Sequence, residues 1–122
     1  MFTKALLGCA LMFSVQVLAA PIHIADSPEG EILTNEAGMS LYVFDKDEAG
    51  TSNCNGSCAD NWPPLMASKA DQAEGNYGII TRADGSLQWS YRDQPLYLWK
   101  QDKGAGDISG DGKFDVWHLA KP

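Results

Sequence analysis

"LYVFDKD" (residues 41–47) and "LYLWKQD" (residues 96–102) decide how this chain is interpreted, because the second heptad repeats the first 55 positions later. In each heptad the first and third residues are aliphatic, the second and fourth are aromatic, and the seventh is aspartate. Alternate side chains of a strand point to opposite faces, so both faces of this segment would be apolar. Such a pattern is typical of a covered strand at the centre of a sheet.

The repeat extends on the N-terminal side of both heptads. "IADSPEGEILTNEAGMSLYVFDKD", which begins at Ile24, aligns without a gap with "IITRADGSLQWSYRDQPLYLWKQD", which begins at Ile79. Glycine, aliphatic, aromatic and acidic positions agree in register, and this agreement indicates an internal duplication. Turn-forming residues separate short apolar runs in both copies, as in β-hairpins. We therefore predict half-repeats over about 22–47 and 77–102.

These patterns predict an all-β fold, a small sandwich or open barrel built from two pseudo-symmetric β half-repeats. The segment 48–76 is predicted as an insert outside the repeat, with one short helical turn over 57–62 that Pro63 and Pro64 end. Residues 103–122 are predicted to form a C-terminal loop followed by a last strand. No linker divides the chain, so residues 20–122 are expected to form one domain.

The heptads supply a motif set of four aromatic residues and two aspartates: Tyr42, Phe44, Asp47, Tyr97, Trp99 and Asp102. We predict a structural role for this set. The aromatic side chains would fill a shared interior. The aspartates follow the strands and would accept backbone N–H bonds where the chain turns away.

The N-terminal residues have the features of a cleaved secretory signal. A short segment with one lysine precedes an apolar run over 5–17, and Val17-Leu18-Ala19 provides residues that a signal peptidase accepts. We predict a signal peptide over 1–19. The apolar run is shorter than the ~20 residues that a membrane span needs. "LLGC" at 6–9 is similar to a lipobox, but the apolar run continues past Cys9, so lipoprotein anchoring is not expected.

Charge and cysteine content limit the function further. The formal net charge is −7, and all sixteen acidic residues lie after position 20. Because such a chain repels phosphate backbones, nucleic acid is not expected as a partner. No second long apolar run follows the signal, so no membrane span is expected after cleavage. Cys54 and Cys58 are predicted to form a disulfide, as in exported proteins. The predicted location is therefore periplasmic or secreted, and the partner is an unknown envelope protein or a small ligand.

Several motifs together resemble a known family. Tyr-x-aromatic-x-x-Asp occurs twice, with "CNGSCADNWPPL", "QWSYRDQPLYLW" and "GDISGDG" before "VWHLA" around it. In order and spacing these resemble the bacterial family of secreted or lipoprotein repeats with a conserved Tyr-x-(Phe/Trp/Tyr)-x-x-Asp motif. The resemblance covers nearly the whole chain after the signal. It implies an exported β-rich domain, and it implies no known reaction.

Catalytic motifs are absent from the sequence. The two mature cysteines are expected to bond to each other, and no Gly-x-Ser-x-Gly elbow or Cys-x-x-Cys-His haem motif occurs. We therefore predict a non-enzymatic protein without a cofactor, which serves as a small binding or interaction module in the envelope or periplasm. Trp62 and Trp89 are predicted to be exposed and are the candidate ligand surface.

A metal-binding protein is the alternative function. Asp107, Ser109 and Asp111 occupy positions 1, 3 and 5 of an EF-hand-like loop, but position 12 is His118 rather than glutamate. This loop is a weak calcium candidate. Signal cleavage after Ala20 would place His23 third in the mature chain, where a free amine and an imidazole bind Cu(II). The preferred cut after residue 19 spoils that site, so copper at His23 is also a weak candidate.

Overall fold

A computed structural model describes residues 20–122. The predicted signal segment 1–19, including Cys9, lies outside the described residues. Most of the described regular structure is strand in antiparallel sheets, with one short α-helix and one short 3₁₀-helix. The described residues contain no helix that is long and apolar enough to cross a membrane.

Three antiparallel sheets make up the fold. The strands are β1 His23–Ser27, β2 Gly30–Thr34, β3 Tyr42–Phe44, β4 Met66–Ala67, β5 Tyr77–Thr81, β6 Leu87–Tyr91, β7 Gln94–Pro95 and β8 Trp117–Leu119. β1 pairs with β2, β3 pairs with β8, and a four-stranded sheet has the order β4-β6-β5 with β7 also on β6. The helix α1 is Ser57–Asn61, and the 3₁₀-helix is Lys113–Asp115. The sheets do not close into a barrel.

Backbone hydrogen bonds relate the two halves by an approximate two-fold symmetry. Leu33 N–H donates to the Ala120 carbonyl, and Trp89 N–H donates to the Leu65 carbonyl, both at 2.8 Å. Between the halves, Tyr42 and Tyr97 exchange backbone N–H···O bonds of 2.8 and 3.0 Å. The predicted architecture of two pseudo-symmetric β half-repeats is therefore confirmed.

The structural equivalence shifts by one residue inside the repeat. Leu33 and Trp89 occupy equivalent places although they are 56 positions apart, whereas the motif heptads are 55 apart. The extra residue lies in the hairpin turns: Ser27 pairs with Gly30 across a two-residue turn, whereas the β5–β6 hairpin has a three-residue turn. The gapless alignment matched Trp89 with Thr34, and this match is wrong because the two turns differ in length.

The motif segment forms a regular strand only in the first half. Tyr97 makes isolated bridges to Tyr42 and Pro64 rather than belonging to a strand. Leu98 N–H donates to the Pro63 carbonyl at 2.7 Å. Proline has no N–H with which to complete the ladder, so the pairing stays local here, whereas β3 pairs regularly with β8.

The core consists of two clusters on opposite sides of the motif segments. Leu41 and Leu96 belong to one cluster, and Tyr42 and Tyr97 belong to the other. This division is the one that the period of two in the heptads predicts. The predicted short helical turn is α1, which overlaps the end of the predicted Cys54–Cys58 disulfide loop at Ser57 and Cys58.

Candidate functional site

The tyrosine of each motif is bonded to the aspartate of the other motif. Tyr42 Oη donates to Asp102 Oδ2 at 2.7 Å, and Tyr97 Oη donates to Asp47 Oδ2 at 2.6 Å. Both tyrosines are fully buried. The motif therefore acts across the two half-repeats, and each half supplies the acceptor for the phenol of the other. We name these bonds the crossed Tyr–Asp pairs.

The second oxygen of each motif aspartate holds a loop. Asp47 Oδ1 accepts the Asn53 backbone N–H at 2.6 Å. Asp102 Oδ1 accepts the backbone N–H of Ser109 at 3.0 Å and its hydroxyl at 2.7 Å. The bonds to backbone N–H are of the predicted kind, but they reach six or seven residues along the chain rather than closing a short local turn. The bonds to tyrosine hydroxyls come from distant sequence and were not predicted.

Burial sets the electrostatics of the crossed pairs. It raises the pKa of Tyr42 and of Tyr97, and the hydrogen bonds to Asp102 and Asp47 raise these pKa values further because they favour the protonated phenol. Burial also raises the pKa of Asp47, while the bonds from Tyr97 and Asn53 oppose that rise. The phenols therefore stay neutral donors far above neutral pH.

Four aromatic rings form a continuous stack beside the crossed pairs, in the order Trp99, Trp62, Trp117 and Phe44. Consecutive ring centroids lie 4.1, 3.9 and 4.2 Å apart. The ring stack is itself symmetric, because Trp62 and Trp117 are 55 positions apart, as are Phe44 and Trp99. Its inner two rings are buried, and its outer two rings are partly buried.

Trp62 and Trp89 do not form an exposed surface. Trp62 is 3% exposed at the centre of the ring stack, and Trp89 is 1% exposed in the other core cluster. The prediction of exposure was wrong for two physical reasons. Trp62 was assigned to an unrepeated insert, although it stacks as the counterpart of Trp117. Trp89 was matched with the polar residue Thr34, although Thr34 is itself buried and Trp89 fills the place of Leu33.

Arg82 is a buried cation that the sequence interpretation missed. It is 6% exposed, and its guanidinium donates to Ser52 Oγ at 3.0 Å, Gln88 Oε1 at 2.8 Å and the Cys54 carbonyl at 2.8 Å. Ser52 Oγ lies 2.6 Å from Tyr97 Oη, which joins this network to one crossed pair. An arginine beside a turn is usually solvated, so composition and spacing gave no signal for this role.

The candidate metal ligands have separate backbone partners. Asp107 accepts the N–H groups of Lys103 and Gly104, whereas Asp111 accepts the N–H of Leu119. Ser109 donates to Asp102, as described above, and His23 is exposed on β1. No group of three or more His, Cys, Asp or Glu side chains within residues 20–122 is arranged to hold a metal ion.

The surface of residues 20–122 includes two open pockets. The first has a volume of about 460 Å³ and lies between the N-terminal residues of the described chain, the turn before β5 and the end of β6. It is lined by Ala20, Ile22, Ile24, Glu74, Gly75, Asn76, Tyr77, Tyr91 and Pro122. The second, of about 260 Å³, lies beside Phe44 and the β6–β7 turn and includes Glu48. We name the first the N-terminal pocket.

Comparison with known proteins identifies the family. The family model described as "Secreted repeat of unknown function" matches the chain twice, over residues 23–66 and 78–121. These segments extend beyond the half-repeats predicted above and include Trp62 and Trp117, in agreement with the symmetric ring stack. The predicted resemblance to a secreted repeat family is therefore confirmed. No curated protein and no solved structure matches the chain.

Proposed function

The chain belongs to this family of secreted repeats, and on that premise we propose that it is an exported, non-enzymatic binding module whose ligand site is the N-terminal pocket. The motif carboxylates and phenols support a non-enzymatic role, because they are bonded to each other and to loop N–H groups. Asp47 also lines the second pocket, but both of its carboxylate oxygens already accept hydrogen bonds.

Packing at the start of the described chain supports signal cleavage before Ala20. Ala20 is 8% exposed and belongs to the first core cluster, and its carbonyl accepts the Ile22 N–H at 2.8 Å. A cut after Ala20 would remove a core residue and place His23 third, whereas a cut before it keeps the packing. We therefore favour the cut before Ala20, which spoils the copper site. Cleavage by a signal peptidase at this position would give a periplasmic or secreted product without a lipid anchor.

The chemistry of the N-terminal pocket carries the binding proposal. Most of its lining residues are apolar or aromatic, Glu74 and Asn76 are polar, and Ile24 remains 54% exposed. The rings of Tyr77 and Tyr91 lie 5.3 Å apart. Glu74 has the one charged side chain among the described lining residues, and the proposed cut before Ala20 would add an α-ammonium to another part of the same pocket. An apolar concavity with a few polar groups is the usual form of a small-molecule site.

This lining selects a class of ligand. Burial raises the pKa of Tyr77, and the charge of Glu74 adds to that rise, so the phenol remains neutral while Glu74 supplies negative charge. A carboxylate beside aromatic faces favours a cation with an apolar body. The proposed ligand is therefore a small amphipathic amine or a comparable cationic aromatic molecule.

An NMR titration of the ¹⁵N-labelled exported protein tests this proposal. Tyramine is the probe, and 4-ethylphenol, which lacks the ammonium group, is its matched comparison. We expect tyramine to shift the resonances of residues that line the N-terminal pocket and to bind several-fold more tightly than 4-ethylphenol. Glu74→Gln should remove that difference.

Glu48→Gln is the control variant, because this substitution removes the same charge from the second pocket. It should leave tyramine binding unchanged. Shifts centred on the second pocket, equal binding of both probes to the native protein, or no shift at millimolar probe would each contradict the proposal.

A further inference from the structure

The ring stack connects the protein surface to the buried crossed pairs. Its three indoles are in direct contact, from the partly buried Trp99 through Trp62 to Trp117. Tyr42 contacts Trp62 edge-on with centroids 5.4 Å apart, and Tyr97 contacts Trp117 edge-on at 5.1 Å. Each inner indole therefore has its own tyrosine, and each tyrosine has its own carboxylate acceptor.

We propose that this arrangement carries an oxidising equivalent inward, from a one-electron acceptor at the surface near Trp99 to the buried tyrosines. The acceptor, a high-potential metal complex or an organic radical, removes one electron from Trp99 and is itself reduced. Electrons then move outward from Trp62 and Trp117 through rings in van der Waals contact. Phe44 ends the stack, because a phenyl ring is harder to oxidise than an indole.

The last step is a coupled transfer of an electron and a proton. The tyrosine gives one electron to the neighbouring indole radical cation and its phenolic proton to the bonded carboxylate. The products are a neutral tyrosyl radical, a carboxylic acid and an intact indole, so charge and atoms balance. The O···O distances of 2.7 and 2.6 Å place the acceptor within the range that proton transfer requires.

Charges beside the stack favour the inward direction. Lys113 Nζ lies 5.8 Å from the ring centroid of Trp99, where its positive charge disfavours a cation on that indole. Asp47 and Asp102 are bonded to the tyrosines that touch the inner indoles, with Asp47 near the Phe44 end of the stack and Asp102 near the Trp99 end. The lysine charge at Trp99 and the carboxylates bonded to both tyrosines therefore favour transfer toward the tyrosines, and they oppose the desolvation cost of a buried cation.

The other two mature tyrosines provide an internal comparison. Tyr77 and Tyr91 pair with each other at the N-terminal pocket, and within residues 20–122 neither donates a hydrogen bond to a carboxylate. Neither contacts the ring stack. Tyr77 is partly exposed, whereas Tyr91 is 7% exposed and Tyr42 and Tyr97 are fully buried. Oxidation that is governed by surface access would therefore reach Tyr77 first, whereas oxidation through the ring stack would reach Tyr42 and Tyr97.

Flash-quench photo-oxidation of the full exported protein tests the proposal, with soluble ruthenium tris-bipyridine as photo-oxidant and EPR as readout. Ring-deuterated tyrosine distinguishes a tyrosyl from an indole radical without any substitution. We expect a neutral tyrosyl radical that persists in the Tyr77→Phe/Tyr91→Phe variant. Asp47→Asn and Asp102→Asn combined should remove the proton acceptors and lower the tyrosyl yield at least tenfold, which leaves an indole radical.

A second set of variants distinguishes the electron path through the indoles from the tyrosines on which the radical forms. Trp99→Phe should lower the tyrosyl yield several-fold while both crossed pairs stay in place, which near-UV circular dichroism can verify. Tyr42→Phe and Tyr97→Phe should each remove part of the signal. A radical that disappears in Tyr77→Phe/Tyr91→Phe, a yield that is indifferent to Trp99→Phe, or the absence of any tyrosyl signal would overturn the proposal.

Discussion

A double-mutant cycle on Tyr42 and Asp102 measures how strongly the half-repeats hold each other. Tyr42→Phe keeps the ring but removes a hydroxyl that donates to Asp102 at 2.7 Å and accepts the Gly110 N–H at 3.2 Å. A hydrogen bond to a charged group contributes about 1.5–3 kcal/mol, and a buried N–H left without a partner costs about 1–3 kcal/mol. We expect Tyr42→Phe to lower the free energy of unfolding by about 2–4 kcal/mol.

The cycle separates the bond itself from these secondary effects. Asp102→Asn removes the charge that Tyr42 faces, and the double variant tests whether the two losses overlap. The coupling energy between Tyr42 and Asp102 should be about 1 kcal/mol, because the asparagine oxygen can still accept a neutral hydrogen bond where the aspartate accepts a stronger charge-assisted one. Urea denaturation followed by tryptophan fluorescence gives all four free energies of unfolding, provided that the m-values agree.

The matched control is the same cycle on a pair of motif residues that no hydrogen bond joins. Tyr42 and Asp47 belong to the same heptad but do not bond to each other, since Asp47 accepts from Tyr97. Tyr42→Phe and Asp47→Asn should therefore be additive within about 0.5 kcal/mol. The reasoning fails if this pair couples as strongly as Tyr42 with Asp102, or if the bonded pair shows no coupling.

Three further predictions concern packing, backbone and pH. Gly110→Ala would place a methyl group 2.9 Å from the Trp62 ring and should lower stability by about 1–3 kcal/mol in urea denaturation, whereas Gly104→Ala, in open space, should be close to neutral. Phe114 has a φ of +52° and a side chain that is 78% exposed, so Phe114→Gly should relieve backbone strain and raise the free energy of unfolding by about 0.5–1 kcal/mol. The melting temperature should rise slightly, and a fall would mean that Phe114 makes a stabilising contact. The motif phenols have raised pKa values in the folded state, so they stabilise the fold fully below the unfolded tyrosine pKa of about 10, and this stabilisation is lost as pH rises above it. The midpoint of urea denaturation should therefore fall between pH 8 and pH 11, and it should fall less in Tyr97→Phe.

Alternation and turn chemistry were sufficient to predict the fold class. The period of two in each heptad assigns Leu41 and Tyr42 to opposite faces, and the structure places them in different core clusters. The spacing of Cys54 and Cys58 predicted their disulfide, and the double proline predicted the end of α1. These features could be predicted because each depends on residues that are close in sequence.

Contacts between distant residues could not be predicted in the same way. The gapless alignment hid the single extra residue in the β5–β6 turn, and a shift of one residue moves a strand side chain to the opposite face. Burial of Trp89 comes from tertiary packing that covers both faces of β6, where Gln88, Trp89, Ser90 and Tyr91 are all buried. Arg82 is likewise buried only because Ser52, Gln88 and the Cys54 carbonyl meet around it.

The sequence by itself determined that two similar β units follow each other and that their aromatic residues and aspartates recur at fixed spacing. Only the tertiary structure decided which aspartate each tyrosine uses. The heptad has the same local form in both copies, so a phenol could face its own carboxylate or that of the other copy. The antiparallel exchange of backbone bonds between Tyr42 and Tyr97 sets the two segments in opposite directions, and this arrangement brings each hydroxyl to the other half's acid.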